Sequence, residues 1–254
     1  RLKINAIYMS FAITENELAK AVEGLRAIGF LGANVTMPHK EAVMKLLDDV
    51  DFWAKKIGAV NTIANKDGKL VGYNTDADGF ANPLKRRIKL DKLDAVIIGA
   101  GGAAKACAFA LGRGECREVL ILNRTISRAQ SLAAAIKKEF GIKVAVKQLN
   151  QKTLRSTIAE HNLIVNATPL GMHEGWFKMS LGKSKLEKGT IAYDLVYRPI
   201  ETEFLQEFRK LGATCIKGYE MLVEQAALSF EIWTGKKAPK AIMTEAALSA
   251  IGAR

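Results

Sequence analysis

A chain of 254 residues that is 49% apolar and 25% charged can bury a core and divide into two domains, which excludes a disordered, collagen-like or disulfide-framed protein. No uncharged apolar run reaches the roughly 18 residues a membrane helix needs, the start RLKINAIYMSF lacks the pattern of an export signal, and Cys107, Cys116 and Cys215 form neither a CxxC nor a Cys/His cluster, so a soluble, cytoplasmic protein without a metal site is expected. The net charge of +12 and the cluster Lys85, Arg86, Arg87 and Lys89 would suit nucleic acid, yet the lysines are scattered along amphipathic helices without interleaved aromatics, and small anionic ligands are expected instead.

Residues 3–11 read as a strand, and Thr14 with Glu17 forms a capping box that opens a helix with Leu18, Val22 and Leu25 on one face and Gly29 at its end. A short strand over 31–35 leads to Thr36-Met37-Pro38, where Thr36 is expected to cap a helix whose buried stripe is Val43, Leu46, Leu47 and Val50. Residues 58–73 read as two strands joined at the turn dipeptide Asp67-Gly68. From Leu93 onward short apolar strands alternate with helices: 95–98, 119–122, 144–147, 163–167, 190–195 and 214–216. That alternation is the pattern of a Rossmann-type doubly wound parallel sheet, so the fold class is α/β with two domains. The last part, 218–235 and 241–251, is helical and is expected to pack back on the first domain. No internal repeat or low-complexity segment interrupts the chain.

Directly after the strand 95–98 comes Gly99-Ala100-Gly101-Gly102-Ala103-Ala104, a GxGxxA fingerprint that opens a helix. Gly99 permits the tight turn, Gly101 lets the backbone approach a pyrophosphate, and Ala104 allows close helix packing. The helix N-terminus then offers unpaired amides and a positive dipole end to the phosphates. About 20 residues on, where enzymes using NAD place an acid for the ribose 2′-hydroxyl, this chain has Asn123-Arg124-Thr125 and, one turn later, Arg128. Two guanidinium groups and no carboxylate favour NADP as the cofactor.

Oxidation of a secondary alcohol, or reduction of its ketone, requires a group that exchanges the hydroxyl proton while hydride moves. Lys40 follows Pro38 and stands three and seven residues before Val43 and Leu47, so it is expected to project from the buried side of that helix, near its positive end. Asp76, in Gly72-Tyr73-Asn74-Thr75-Asp76, is the candidate partner. Residue types alone leave open whether these two are a catalytic pair or surface charges. His39, His161 and His173 show no ligand spacing.

The strings 34–40 (NVTMPHK), 58–62 (GAVNT), 72–76 (GYNTD), GAGGAA, NRT at 123–125, NAT at 166–168 with Gly171-Met172, DLVY at 194–197 and GYEMLVEQ at 218–225 together resemble the shikimate dehydrogenase family in order and spacing, over nearly the whole chain. The resemblance implies NADPH-dependent reduction of 3-dehydroshikimate to shikimate, a step of aromatic amino-acid biosynthesis. Lys40 and Asp76 then correspond to the catalytic lysine and its acidic partner, and Thr36, Asn61, Tyr197 and Gln225 to further substrate-binding residues. Gly99, Ala100, Gly101, Gly102, Ala103, Asn123, Arg124, Thr125, Arg128, Thr168, Leu195, Gly218 and Met221 correspond to cofactor-binding residues. The implied domains are a substrate-binding unit over 1–83, completed by 219–254, and an NADP-binding Rossmann unit over 84–218.

Two departures qualify the match. The family opens with a strand, a Ser-x-Ser-Pro loop that binds the substrate carboxylate, and a helix; here Arg1 stands where a later part of the pattern begins, and the segment is expected upstream in the native protein. Pro169 replaces the usual serine, and the following loop, 171–189, carries Trp176 and Phe177, expected to pack beneath it. Two rival readings are a quinate/shikimate dehydrogenase with relaxed cofactor use and a non-catalytic metabolite-sensing module. The expected partner is a small-molecule substrate, with the chain a monomer or homodimer.

Overall fold

The computed structural model describes residues 2–172, 181–182 and 184–252. His173, Trp176 and Phe177 lie outside the described residues.

The first part of the chain builds a four-stranded sheet from β1 (Gly32–Asn34), β2 (Asp49–Val50), β3 (Thr62–Lys66) and β4 (Lys69–Tyr73), in the order β1-β3-β4-β2. The β3–β4 hairpin closes through Asp67 and Gly68, with φ of 53° and 86°, the left-handed pair that a two-residue turn of matching twist demands. The capping box forms as expected: Thr14 Oγ1 and N both donate to Glu17 Oε2, and α1 (Leu18–Ala27) follows. Its Leu18 and Val22 pack with Val43, Val50, Val60, Ile63 and Leu70, and with Ala54 of α2 (Phe52–Ile57), into one apolar core.

Two expectations fail here. Residues 3–11 form no strand: they pair with no neighbour among the described residues, and Ile7, Tyr8, Met9 and Phe11 are exposed, held by contacts such as Tyr8 OH with Asn34 Oδ1 at 3.0 Å. Alternation of apolar residues marks a segment able to be a strand, but a strand exists only where a ladder partner takes its hydrogen bonds. The second failure is the α-helix after Pro38. Residues 37–41 form turns, Ala42–Leu46 is a single 3₁₀ stretch, and Leu47 turns extended (φ −99°, ψ 152°) so that Asp49–Val50 can join β4. The bonds Asp48 N to Leu70 O, Leu70 N to Asp48 Oδ2 and Asp51 N to Gly72 O outcompete continued helix. Thr36 therefore caps no α-helix, and Lys40 lies in a turn and not at a helix N-terminus; its carbonyl accepts from Val60 N at 2.8 Å.

The second sheet is wholly parallel: β5 (Asp94–Ile98), β6 (Glu118–Asn123), β7 (Lys143–Gln148), β8 (Leu163–Asn166), β9 (Ile191–Asp194) and β10 (Thr214–Ile216), ordered β10-β9-β8-β5-β6-β7. From β5 the chain first runs outward to β6 and β7, then crosses back to β8 on the other side. The β5/β8 boundary is therefore the topological switch point, where open α/β sheets hold their ligands.

Before that sheet comes α3 (Asp76–Lys85), and within or after it α4 (Gly102–Arg113), α5 (Ile126–Phe140), α6 (Gln151–Thr157), α7 (Glu203–Lys210), α8 (Gly218–Thr234) and α9 (Lys240–Gly252). Alternate side chains of β5 face opposite ways: Ala95 and Ile97 pack with Ala104, Leu111, Leu132 and Ile136, while Val96 and Ile98 pack with Leu154, Ile158, Phe204 and Phe208. Cover on both faces explains why these strands read as continuous apolar runs.

The two sheets are joined by α3 leading out and α8 leading back, packed against each other. Buried Glu224 of α8 accepts from Asn82 Nδ2 at 3.0 Å, Arg86 at 2.7 Å and Lys240 at 2.8 Å, and Glu220 accepts from Arg87 at 3.0 Å. Half of the basic cluster noted in the sequence is thus tied to internal acids.

Candidate active site

Asp76 is the first residue of α3, and its place is fixed locally. Asn74 Oδ1 accepts from Asp76 N and Ala77 N, Asn74 Nδ2 donates to Ala59 O, and Asn61 Oδ1 accepts from Thr75 N at 2.7 Å. A carboxylate at that position also meets the positive end of the helix. Lys40 Nζ donates to Asp76 Oδ2 at 2.5 Å, with the two side chains 17% and 7% exposed, and Asn61 Nδ2 donates to Asp76 Oδ1 at 2.9 Å. The same amide reaches Thr75 Oγ1 at 2.9 Å and Gln225 Oε1 at 3.3 Å. A largely desolvated ion pair persists where each charge has its partner and further hydrogen bonds satisfy what is left.

The aliphatic stem of Lys40 runs beside the start of α4: a Cβ placed on Gly102 would lie 3.8 Å from Lys40 Cδ. The pair thus stands next to the glycine-rich turn, although Lys40 and that turn are about 60 residues apart in the chain. A salt bridge from Lys105 to Glu41, at 2.8 Å, ties α4 to the Lys40 turn a second time.

The fingerprint turn behaves as its residues require. Gly99 has φ of 114°, and a Cβ there would sit 3.0 Å from Thr168 Cγ2 and 3.1 Å from Ala167 O. Gly101, extended before α4, has nothing within 4 Å of a Cβ position, so a phosphate has room to approach the amides of Gly102 and Ala103, which lack intrahelical acceptors. Along the carboxyl edge of the sheet, Ala100, Ala167, Leu195 and Met221 belong to one apolar cluster, and Gly218 lies so close to Leu195 and Val196 that a Cβ would come 2.4 Å from Val196 O.

Behind this edge, Thr168 Oγ1 donates to Asn166 Oδ1, Asn166 Nδ2 donates to Asp194 Oδ1, and Thr202 Oγ1 donates to Asp194 Oδ2. Burial pushes the Asp194 carboxyl up to about 7 against the pull of these bonds. At the end of β6, Asn123 Nδ2 donates to Thr125 O and Gln148 Nε2 to Arg124 O, while Arg124 and Arg128 are exposed and pair with no carboxylate among the described residues. Two exposed guanidinium groups on an ordered turn can hold an anionic group.

Of the residues singled out from sequence, Lys40, Asn61, Asp76 and Gln225 form one hydrogen-bonded cluster. Thr36 and Tyr197 are exposed, and neither bonds to that cluster among the described residues. The sequence reading missed Asn74, Thr75, Thr62 and Ser229. Asn-Thr before an acidic first turn is a helix-start signal that could have flagged Asn74 and Thr75, and Ser229 lies one helical turn beyond Gln225. A cavity of about 400 Å³ borders this cluster at Asn74 and Thr75 and is otherwise lined by Asp51, Trp53, Tyr73, Asp78, Leu228, Glu231 and Ile232; Lys40, Asn61, Asp76 and Gln225 do not line it.

A parallel sheet with a glycine-rich turn at its switch point, and beside that turn a lysine–aspartate pair from the turn after β1 and the start of α3, defines a two-domain dinucleotide-dependent oxidoreductase. Three family models match in order: the shikimate dehydrogenase substrate binding domain over residues 1–63, shikimate / quinate 5-dehydrogenase over 83–199, and the shikimate 5′-dehydrogenase C-terminal domain over 218–248. The chain belongs to the shikimate dehydrogenase family. It is 42% identical to the shikimate dehydrogenase (NADP(+)) of Symbiobacterium thermophilum, over 98% of this chain and 85% of that protein. Among solved structures, shikimate 5-dehydrogenase of Thermus thermophilus with NADP(H) and shikimate is 36% identical with a TM-score of 0.78, covering 94% of this chain and 85% of the other. Quinate dehydrogenase of Corynebacterium glutamicum with NAD is 34% identical with a TM-score of 0.81, covering 94% and 85%.

Proposed function

We propose that this chain interconverts 3-dehydroshikimate and shikimate with NADP(H), as a cytoplasmic enzyme of aromatic amino-acid biosynthesis, and that reduction of the ketone is its working direction. The observation that carries the reading is the Lys40–Asp76 pair at 2.5 Å, set beside the first turn of α4. NADPH supplies the hydride when bound. Lys40 and Asp76 hold the substrate oxygen and exchange its proton, Lys40 as donor and Asp76 as the carboxylate that keeps the ammonium aimed. Thr36, Asn61, Tyr197 and Gln225 bind the substrate through its remaining polar groups. Gly99, Ala100, Gly101, Gly102, Ala103 and Gly218 line the approach to the pyrophosphate, Thr168, Leu195 and Met221 the nicotinamide side, and Asn123, Arg124, Thr125 and Arg128 the 2′-phosphate.

The organisation proposed with this function is a substrate-binding unit of residues 1–83 completed by 219–254 and a cofactor unit of 84–218, with the reaction between them. Closure around the ligands excludes water and brings donor and acceptor together. The test is NADPH consumption with 3-dehydroshikimate, run beside quinate oxidation with NAD. A kcat/KM at least about tenfold higher for the first pair supports the proposal, a difference of about 1.4 kcal/mol in transition-state binding. Binding of both ligands without turnover contradicts it, and preference for quinate with NAD moves the chain to the quinate-oxidising branch of the family.

A further inference from the structure

Ser229 of α8 is fully buried, yet its hydroxyl meets four polar atoms: Thr62 Oγ1 at 2.7 Å, Asn34 Nδ2 at 3.1 Å, Gln225 O at 3.1 Å and Thr75 Oγ1 at 3.2 Å. Thr62 is equally buried, Thr75 nearly so, and none of the three hydroxyls bonds to Lys40. They do reach Asn61. Thr62 Oγ1 donates to Asn61 Oδ1 at 3.1 Å, and Thr75 Oγ1 stands 2.9 Å from Asn61 Nδ2 and 3.2 Å from its Oδ1.

The hydrogen count gives this arrangement a consequence. Thr75 N donates to Asn61 Oδ1, which fixes the orientation of the carboxamide. Its NH₂ then has two hydrogens for three acceptors: Thr75 Oγ1, Asp76 Oδ1 and Gln225 Oε1. Asn61 Oδ1 in turn already accepts from a backbone amide. Thr62 Oγ1 donates to it as well, and Ser229 Oγ offers the Thr75 hydroxyl proton an acceptor other than that oxygen. Without it the Thr75 proton turns onto Asn61 Oδ1 too, and the carboxamide that holds Asp76 Oδ1 is drawn away.

We propose that Ser229 is a positioning residue for the reaction: through Thr62 and Thr75 it sets the Asn61 carboxamide, and through Asn61 it holds the Asp76 carboxylate toward Lys40. The proposal rests on the dehydrogenase reading above.

The experiment measures steady-state kinetics and thermal unfolding of wild type, Ser229→Ala, Asp76→Asn and the double variant. Ser229→Ala is expected to lower kcat about three- to tenfold, the worth of one buried hydrogen bond, with the KM for NADPH unchanged. In the Asp76→Asn background the same change leaves kcat within about twofold, since neighbouring effects that share a path are not additive, while Tm falls equally in both backgrounds. An equal loss of kcat in both backgrounds, or no loss in either, overturns the proposal. If Ser229→Ala does not fold, Thr62→Val cuts the same chain from the sheet side and is read by the same comparison. Absence of turnover in wild type sinks the dehydrogenase reading and this proposal together, whereas wild-type turnover with additive losses sinks the positioning role alone.

Discussion

Replacing Asp194 by asparagine isolates a buried carboxyl whose protonation is coupled to folding between about pH 4 and pH 7. Its oxygens accept from Asn166 Nδ2, Val196 N and Thr202 Oγ1, and among the described residues no cation is hydrogen-bonded to it, so burial pushes its pKa from 3.8 up to about 7. Between those values the unfolded chain has released a proton that the native protein keeps. The unfolded state binds fewer protons there, so native stability falls as pH rises from about 4 to about 7 and is flat, for this group, on either side. The gap corresponds to about 4 kcal/mol over the whole window. An asparagine side chain is close to isosteric with the carboxyl and does not titrate. Urea unfolding of wild type and Asp194→Asn at several pH values measures the difference directly: wild type should lose a few kcal/mol relative to the variant on going from about pH 4 to about pH 8. Parallel stability curves for the two proteins would show that Asp194 ionises in the native state as it does in the unfolded chain, and would refute the argument.

Two further outcomes are expected. Arg124→Ala combined with Arg128→Ala should reduce kcat/KM with NADPH by about 10- to 100-fold, the range for charge-assisted hydrogen bonds to a phosphate, and leave the value with NADH within about threefold; equal losses with both would dissociate the two arginines from the 2′-phosphate. Burial pushes the Cys116 thiol up to about 12 and raises that of Cys107 as well, so iodoacetamide at about pH 8 should modify neither in the native protein, while both react once it is unfolded. Mass spectrometry showing early modification of Cys107 would mean that α4 opens locally in the native state.

The parallel sheet was legible because its central strands β5, β6, β8 and β9 are buried on both faces and most of its strands are followed by helices with 3.6-residue periodicity, signals that lie within a few consecutive residues. The glycine-rich turn was legible for the same reason: strand, turn and helix are contiguous, and Gly99 and Gly101 act on their own backbone. Lys40 and Asp76 could be singled out as candidates by residue type and position, but only the spaced motifs joined them as a pair, since nothing local in either residue specifies a contact across 36 positions. The helix expected after Pro38 failed because periodicity records which side chains are buried and not how the backbone is satisfied; Val43 and Val50 are buried as expected, but Val50 reaches the core from a strand. Residues 3–11 failed in the opposite way, with a strand-like pattern and no ladder to join. Ser229 and Thr62 were illegible because a hydroxyl's role is set by its neighbours, and theirs come from β1, β3, the β4–α3 junction and α8.

The most direct test of the central claim is the rate of NADPH oxidation with 3-dehydroshikimate by wild type and Lys40→Ala, with circular dichroism and NADPH affinity measured on both. If Lys40 is the proton donor at the reacting oxygen, kcat falls by about 10²- to 10⁴-fold while fold and NADPH binding are retained. A Lys40→Ala enzyme that keeps kcat within about tenfold of wild type, or a wild type that binds both ligands and turns over neither, would contradict the account.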